Sequence, residues 1–163
     1  MTLHTIDPVW DENSKVLILG SFPSVKSREE GFFYGHKQNR FWRVLASVCD
    51  CSVPQNIDEK KAMLLANGIA VWDVIHSCDI VGSSDSSIKN VVPNDIADIV
   101  KKSHIERIFT NGKKADELYK KYIEQTVGIS AECLPSTSPA NAVWTLEKLC
   151  EEWKKDFSIR EVF

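Results

Sequence analysis

KVLILG, residues 15–20, is a continuous apolar run behind one lysine and closed by a glycine. A run this short, with no polar residue alternating through it, reads as a strand buried in a core. Working outward from it, the chain alternates in type. NRFWRVLASVCD (39–50) repeats apolar residues at helical spacing through Phe41, Val44, Leu45 and Val48, with Asn39 placed as a cap. IDEKKAMLLANG (57–68) predicts a helix ending at Gly68, and IAVWDVI (69–75) a second strand. Further on come a helix over VPNDIADIVKKS (92–103), a strand over IERIFTNG (105–112) and a helix over KKADELYKKYI (113–123). A strand over ISAECLPS (129–136) and an amphipathic helix over NAVWTLEKLCEEWKKDF (141–157) complete the series. DIVGSSDSSIKN (79–90) reads as the one long polar loop. Strands separated by helices predict one α/β domain over residues 1–163. It would be a three-layer sandwich with a mostly parallel central sheet flanked by helices.

Composition fits that picture and narrows the chemistry. The 163 residues are 43% hydrophobic and 26% charged, ordinary values for a globular protein with a sizeable core. No apolar run approaches the length of a membrane helix and no secretory leader opens the sequence, so a cytoplasmic protein is expected. The five cysteines are scattered without a C-x-x-C pair, and the four histidines show no metal spacing. Neither G-x-x-x-x-G-K-[ST] nor G-x-G-x-x-G follows the first strand, and no G-x-S-x-G is present. Chemistry without metal or cofactor, or binding alone, is the expectation. Net charge is −3, yet residues 89–121 hold eight lysines and arginines against five acids. Such a stretch could offer a narrow positive face to a polyanion, although on composition alone solvated surface charge is the favoured reading.

In an open parallel sheet, ligands sit beyond the carboxyl ends of the strands. Four loops qualify: GSFPS (20–24), DVIHSCD (73–79), TNGKK (110–114) and LPSTSPAN (134–141). GFFYGHKQNRFW (31–42) follows the first of them, and its five aromatics lack any period. They are therefore expected to roof or floor a pocket rather than fill the core. LPSTSPAN supplies three hydroxyls before a helix start, a pattern suited to phosphate. Trp42, Trp72, Trp144 and Trp153 lie in periodic apolar segments and read as packing.

VLILGSFPS, FFYGHKQNRFWRVL and LPSTSPAN, in that order, resemble the signature segments of the uracil-DNA glycosylase superfamily. Within it they resemble most the hypoxanthine-DNA (DNA-deoxyinosine) glycosylases. The resemblance implies a monofunctional base-excision-repair enzyme, a monomer needing no cofactor or metal, whose partner is DNA carrying deaminated bases. Such enzymes flip the damaged nucleotide into a pocket. Carried over by position, the backbone around Ser21 and Phe22 faces the base carbonyl, Tyr34 stacks on the base, and Asp73 reads it. Ser24, Lys113, Lys114, Ser136, Thr137, Ser138 and Pro139 fall to the DNA-binding set, and LPSTSPAN to the wedge that fills the emptied stack. Many relatives carry Asp or Asn where this chain has Phe22, so the duty of placing the attacking water passes to Asn39. Leu134 stands where efficient uracil enzymes begin their last motif with His.

The chemistry suits so modest a set. N-glycosidic cleavage passes through an oxocarbenium-like sugar while the base departs with negative charge. One fixed donor aimed at that charge is worth about 3–4 kcal/mol of barrier. For Asp73 two readings stand level: a carboxylate accepting N1–H of hypoxanthine or N3–H of uracil, or a turn and ion-pair residue. Asn111 reads as a turn residue, and His36 and Arg40 as DNA contacts or loop hydrogen bonders. A uracil or mismatch glycosylase, and a non-catalytic damaged-DNA or nucleobase-binding module, are the alternative functions.

Overall fold

The computed structural model describes residues 1–158. In chain order the elements are β1 (Thr2–Leu3), β2 (Val16–Gly20), α1 (Val25–Glu30), α2 (Phe41–Val48), α3 (Ile57–Ala66), β3 (Ile69–Asp73) and β4 (Ile75–Asp79). A 3-10 turn at Asp85–Ser87 precedes β5 (Lys89–Pro93), α4 (Ile96–Lys102), β6 (Arg107–Asn111) and α5 (Lys113–Tyr122). Then come α6 (Glu124–Val127), β7 (Ala131–Leu134) and α7 (Leu146–Ser158). The central sheet has the order β3-β2-β6-β7, and every pair in it is parallel.

The opening run earns its place at the middle of that sheet. Ile18 points into one hydrophobic cluster while Leu17 and Leu19 point into the other, and all three are fully buried. One layer carries α2, α3 and α7 with Leu45, Leu64 and Trp153; the opposite layer carries α4 and α5 with Ile96, Ile99 and Tyr119. A strand covered on both faces needs apolar residues at every position, which is the pattern KVLILG shows. The predicted α/β sandwich and its parallel sheet are what the fold contains.

Three expectations need correction. IAVWDVI is not one strand, because the chain breaks at Val74 between β3 and β4. The Val74 and Ile75 N–H groups donate to the Gly20 and Ser21 carbonyls, which steers the chain out of the parallel sheet. DVIHSCD and part of the polar loop then form a second, antiparallel sheet, β1-β4-β5, with β5 absorbing Val92 and Pro93 from the predicted helix. Its strands are short and half exposed and mix Ser, His, Asp and Lys, so neither apolar alternation nor a continuous apolar run marks them.

The last helix starts at Leu146 rather than 141, since Thr145 Oγ1 accepts from Lys148 N–H and caps it there. The aromatic segment is the third correction. Phe32, Phe33, Phe41 and Trp42 are buried core residues, and only Phe33 and Tyr34 of its five aromatics also border a cavity. The single-domain expectation runs to residue 163, of which 159–163 lie outside the described residues.

Candidate active site

Parallel register places Gly20 beside Asp73 and Asn111 beside Leu134, so four strands end together. Above that edge lies a cavity of about 370 Å³ bordered by the first-strand loop, Tyr34, Asn39, Asp73, Asn111 and the 136–140 loop. That volume suits a nucleobase-sized ligand.

Asp73 forms the acidic floor and is 3% exposed. Its Oδ2 is 2.8 Å from His4 Nε2, a partner that β1 delivers from the far end of the chain. The Ile6 N–H donates to His4 Nδ1 at 3.3 Å, so the ring proton sits on Nε2 and is given to the carboxylate. His4 is packed edge-on by Phe22 and Trp72. Sequence reasoning missed His4 because a two-residue strand carries no periodicity. Gly20 is required beside this pair, since an added Cβ would collide with Asp73 Oδ1 and crowd the Tyr34 hydroxyl.

Tyr34 adopts a left-handed backbone (φ 52°) and stacks on Phe41 with ring centroids 3.9 Å apart. One ring face is thus covered, and the residue borders the cavity. Burial, then the Asp73 charge, drive its phenol far above the usual range; the nearby Asn111 amide opposes this but does not reach hydrogen-bond geometry.

Asn39 borders the cavity between the aromatic segment and α2. Its Oδ1 accepts from Phe41 N–H and from the Thr137 hydroxyl, both at 2.9 Å. Asn111, expected as a turn residue, is bonded twice to Thr137: its Nδ2 donates to Oγ1 and its Oδ1 accepts the Thr137 N–H, both at 3.0 Å.

Thr137 is therefore not placed to touch phosphate. It is fully buried, and its hydroxyl serves the site from behind. Ser136, Ser138 and Pro139 border the cavity as Thr137 does, with Pro139 exposed. The hydroxyls of Ser136 and Ser138 accept the N–H of Ser138 and Ala140, which shapes their turn. Arg40 is a clamp rather than a DNA contact: its guanidinium donates to the carbonyls of Thr137, Ser138, Asn141 and Trp144. Burial and the neighbouring Arg43 lower its pKa.

Ser21 and Phe22 border the cavity through the loop after β2, and Phe22 N–H donates to no acceptor among the described residues. The Phe22 ring itself packs against His4. Ser24 caps α1, accepting from Ser27 N–H. Neither Lys113 nor Lys114 borders the cavity, although Lys114 is close enough to stabilise the Asp85 carboxylate at its mouth. Asp85 also accepts from Ser21 Oγ at 3.2 Å, and burial raises its pKa against those two influences. No group of three His, Cys, Asp or Glu side chains able to hold a metal occurs among the described residues.

A parallel sheet ending in a base-sized, acid-floored cavity under a Ser-Pro loop defines a nucleobase-handling α/β protein. Residues 8–158 match the family model of the uracil DNA glycosylase superfamily, and the chain belongs to that family. Two curated relatives are each described as a hypoxanthine DNA glycosylase. The one from Methanosarcina acetivorans is 34% identical over 91% of this chain and 94% of its own. The one from Methanosarcina barkeri is 33% identical over 82% and 85%. The solution NMR structure of a candidate uracil DNA glycosylase from Methanosarcina acetivorans superposes with a TM-score of 0.77 at 30% identity, covering 92% of this chain and 95% of that one.

Proposed function

We propose that this chain is a monofunctional DNA glycosylase that hydrolyses the N-glycosidic bond of a flipped-out deoxyinosine. Family membership and two relatives described as hypoxanthine DNA glycosylases support the reaction class. The observation that carries base choice is the Asp73 carboxylate, with Oδ2 engaged by His4 and the side chain bordering a base-sized cavity. An acceptor there matches N1–H of hypoxanthine and repels the N1 acceptor of adenine. A hydrogen bond from His4 holds the Asp73 carboxylate in place and is compatible with its reading the base.

Water adds its oxygen to C1′, the C1′–N9 bond breaks, and its electron pair leaves on the purine, which then takes up a proton. The Phe22 N–H, at the cavity and without an acceptor among the described residues, is the donor for the charge developing on the base. Asn39 places the water, and the oxocarbenium-like sugar is reactive enough that placement suffices. Ser24, Ser136, Ser138, Pro139, Lys113 and Lys114 form the narrow DNA grip of an enzyme we read as a monomer. Uracil excision is the second reading, because N3–H of uracil offers Asp73 the same donor.

Incubation with duplexes carrying inosine or uracil, followed by alkali, tests the assignment. Breaks at inosine are expected. Breaks mainly at uracil would transfer it to the second reading, and no breaks would mean a binding module. Borohydride should trap no covalent complex, since no lysine borders the cavity.

A further inference from the structure

Two backbone donors decide how the amides of this site face. A backbone N–H can only donate, so Phe41 N–H fixes Asn39 Oδ1 on its side and Thr137 N–H fixes Asn111 Oδ1 on its own. Asn111 Nδ2 is then left facing Thr137 Oγ1 and donates to it. Asn39 Oδ1 can only accept, so the hydroxyl sends its single proton there. The chain of bonds runs one way, from the end of β6 through the 137 loop to Asn39, and each bond polarises the next. Asn39 Oδ1 has both acceptor positions filled by protein donors. What Asn39 has left for the cavity is its Nδ2–H₂.

From this geometry we infer that Asn111 and Thr137 are positioning residues, and that Asn39 meets the water as a hydrogen-bond donor, gripping its oxygen rather than accepting its proton. The inference rests on the glycosylase reading above and adds two residues and a direction to it. Thr137 is fully buried, and among the described residues its hydroxyl bonds only to these two amides.

Single-turnover excision from an inosine duplex tests it with four variants. Asn39→Asp replaces the donor by an acceptor and should lose about 100-fold or more in rate. Activity equal to or above wild type would show that the site wants an acceptor and would overturn the inference. Thr137→Val removes the hydroxyl at nearly constant shape and should cut kcat by about 10- to 100-fold with KM within about threefold. Thr137→Ser should restore most of that rate. Asn111→Asp draws the Thr137 proton away from Asn39 and should behave like Thr137→Val. Full rate in Thr137→Val, or equal losses in the Ser and Val variants, would reduce both residues to packing.

The Asn39 side-chain ¹⁵N–¹H₂ signals of the DNA-free protein read the relay by itself. They should shift in Thr137→Val, and their indifference would overturn the relay whatever the activity. Wild-type protein that leaves inosine intact while those signals do shift would instead overturn the proposed function and leave the relay standing.

Discussion

Asn39 and Asp73 approach the cavity with opposite hydrogen-bonding characters, one offering donors and the other a carboxylate. Their substitutions should therefore separate. Asn39→Ala removes the water-holding group without touching the base, so excision should fall by about 100-fold or more while inosine-duplex affinity stays within a few-fold. Near-normal turnover would remove Asn39 from the mechanism. Asp73→Asn keeps the size but brings a donor where N1–H needs an acceptor. Hypoxanthine selection should weaken by about tenfold, a difference of about 1.4 kcal/mol, with uracil excision spared or improved. Unchanged selectivity in a less stable protein would leave Asp73 as no more than the partner of His4. The positions of Asn39, Tyr34 and Asp73 around one cavity were legible from motif order, whereas the roles of His4, Asn111 and Thr137 were not. Those three act through partners 69, 26 and 98 residues away, and no local pattern encodes such pairings.

At the scale of elements, one guanidinium gathers the 137–144 turn. Arg40 gathers four of its carbonyls, and Arg40 N–H also donates to the Thr137 carbonyl at 3.1 Å. Arg40→Met keeps a similar stem but abandons those acceptors, some of which water will then solvate. A loss of about 2–3 kcal/mol in urea denaturation is expected. The same variant should be cut by protease within 137–144, and resistance equal to wild type would show that the turn holds without its clamp. Aperiodic aromatics suggested a pocket lining, yet the segment mostly packs. Its irregular backbone, with Gly31 and Tyr34 both at positive φ, turns successive rings into the core beneath α2 without helical spacing. Aromatic content therefore reported burial here rather than binding. The central strands were readable because two-sided burial writes itself as unbroken hydrophobicity. The second sheet was not, because its short strands interrupt their buried Ile75 and Cys78 with Ser, His, Asp and Lys, leaving neither an apolar run nor a clean alternation.

For the molecule as a whole, the proposed DNA grip of an acidic protein through hydroxyls, backbone groups and two lysines should show little salt dependence. Each phosphate neutralised contributes a slope of roughly 0.9 in log K against log salt. About two to four ionic contacts then predict a shallow line for inosine-duplex binding. A slope implying about eight would require a basic face beyond the one described.

Alkali probes the core from the other side. Burial, with Glu124 adding, pushes the Tyr119 phenol up to about 12, and Tyr34 lies higher still. Both stay protonated in the folded state, while in the unfolded chain they ionise near pH 10. Their contribution to stability is complete below about pH 10 and is lost as pH rises through 12. The absorbance change of Tyr34 at 295 nm should come only together with loss of the circular dichroism of the fold. Ionisation of all phenols near pH 10 in a still-folded protein would contradict the buried placement.

One site brings together His4, held on Asp73, and Asn39, Asp73, Asn111 and Thr137 around a cavity, although the five span most of the chain. While a ribosome is still making the protein, the first four wait for the fifth. The Asn39 amide has its last donor only once residue 137 has cleared the exit tunnel and docked. Nascent or truncated chains ending before it should be silent toward DNA, however well their earlier strands have paired. Segments far apart in the sequence thus act as a two-key lock on an activity that makes abasic sites. A base-removing enzyme built this way becomes active only after the segment around residue 137 has been made and docked.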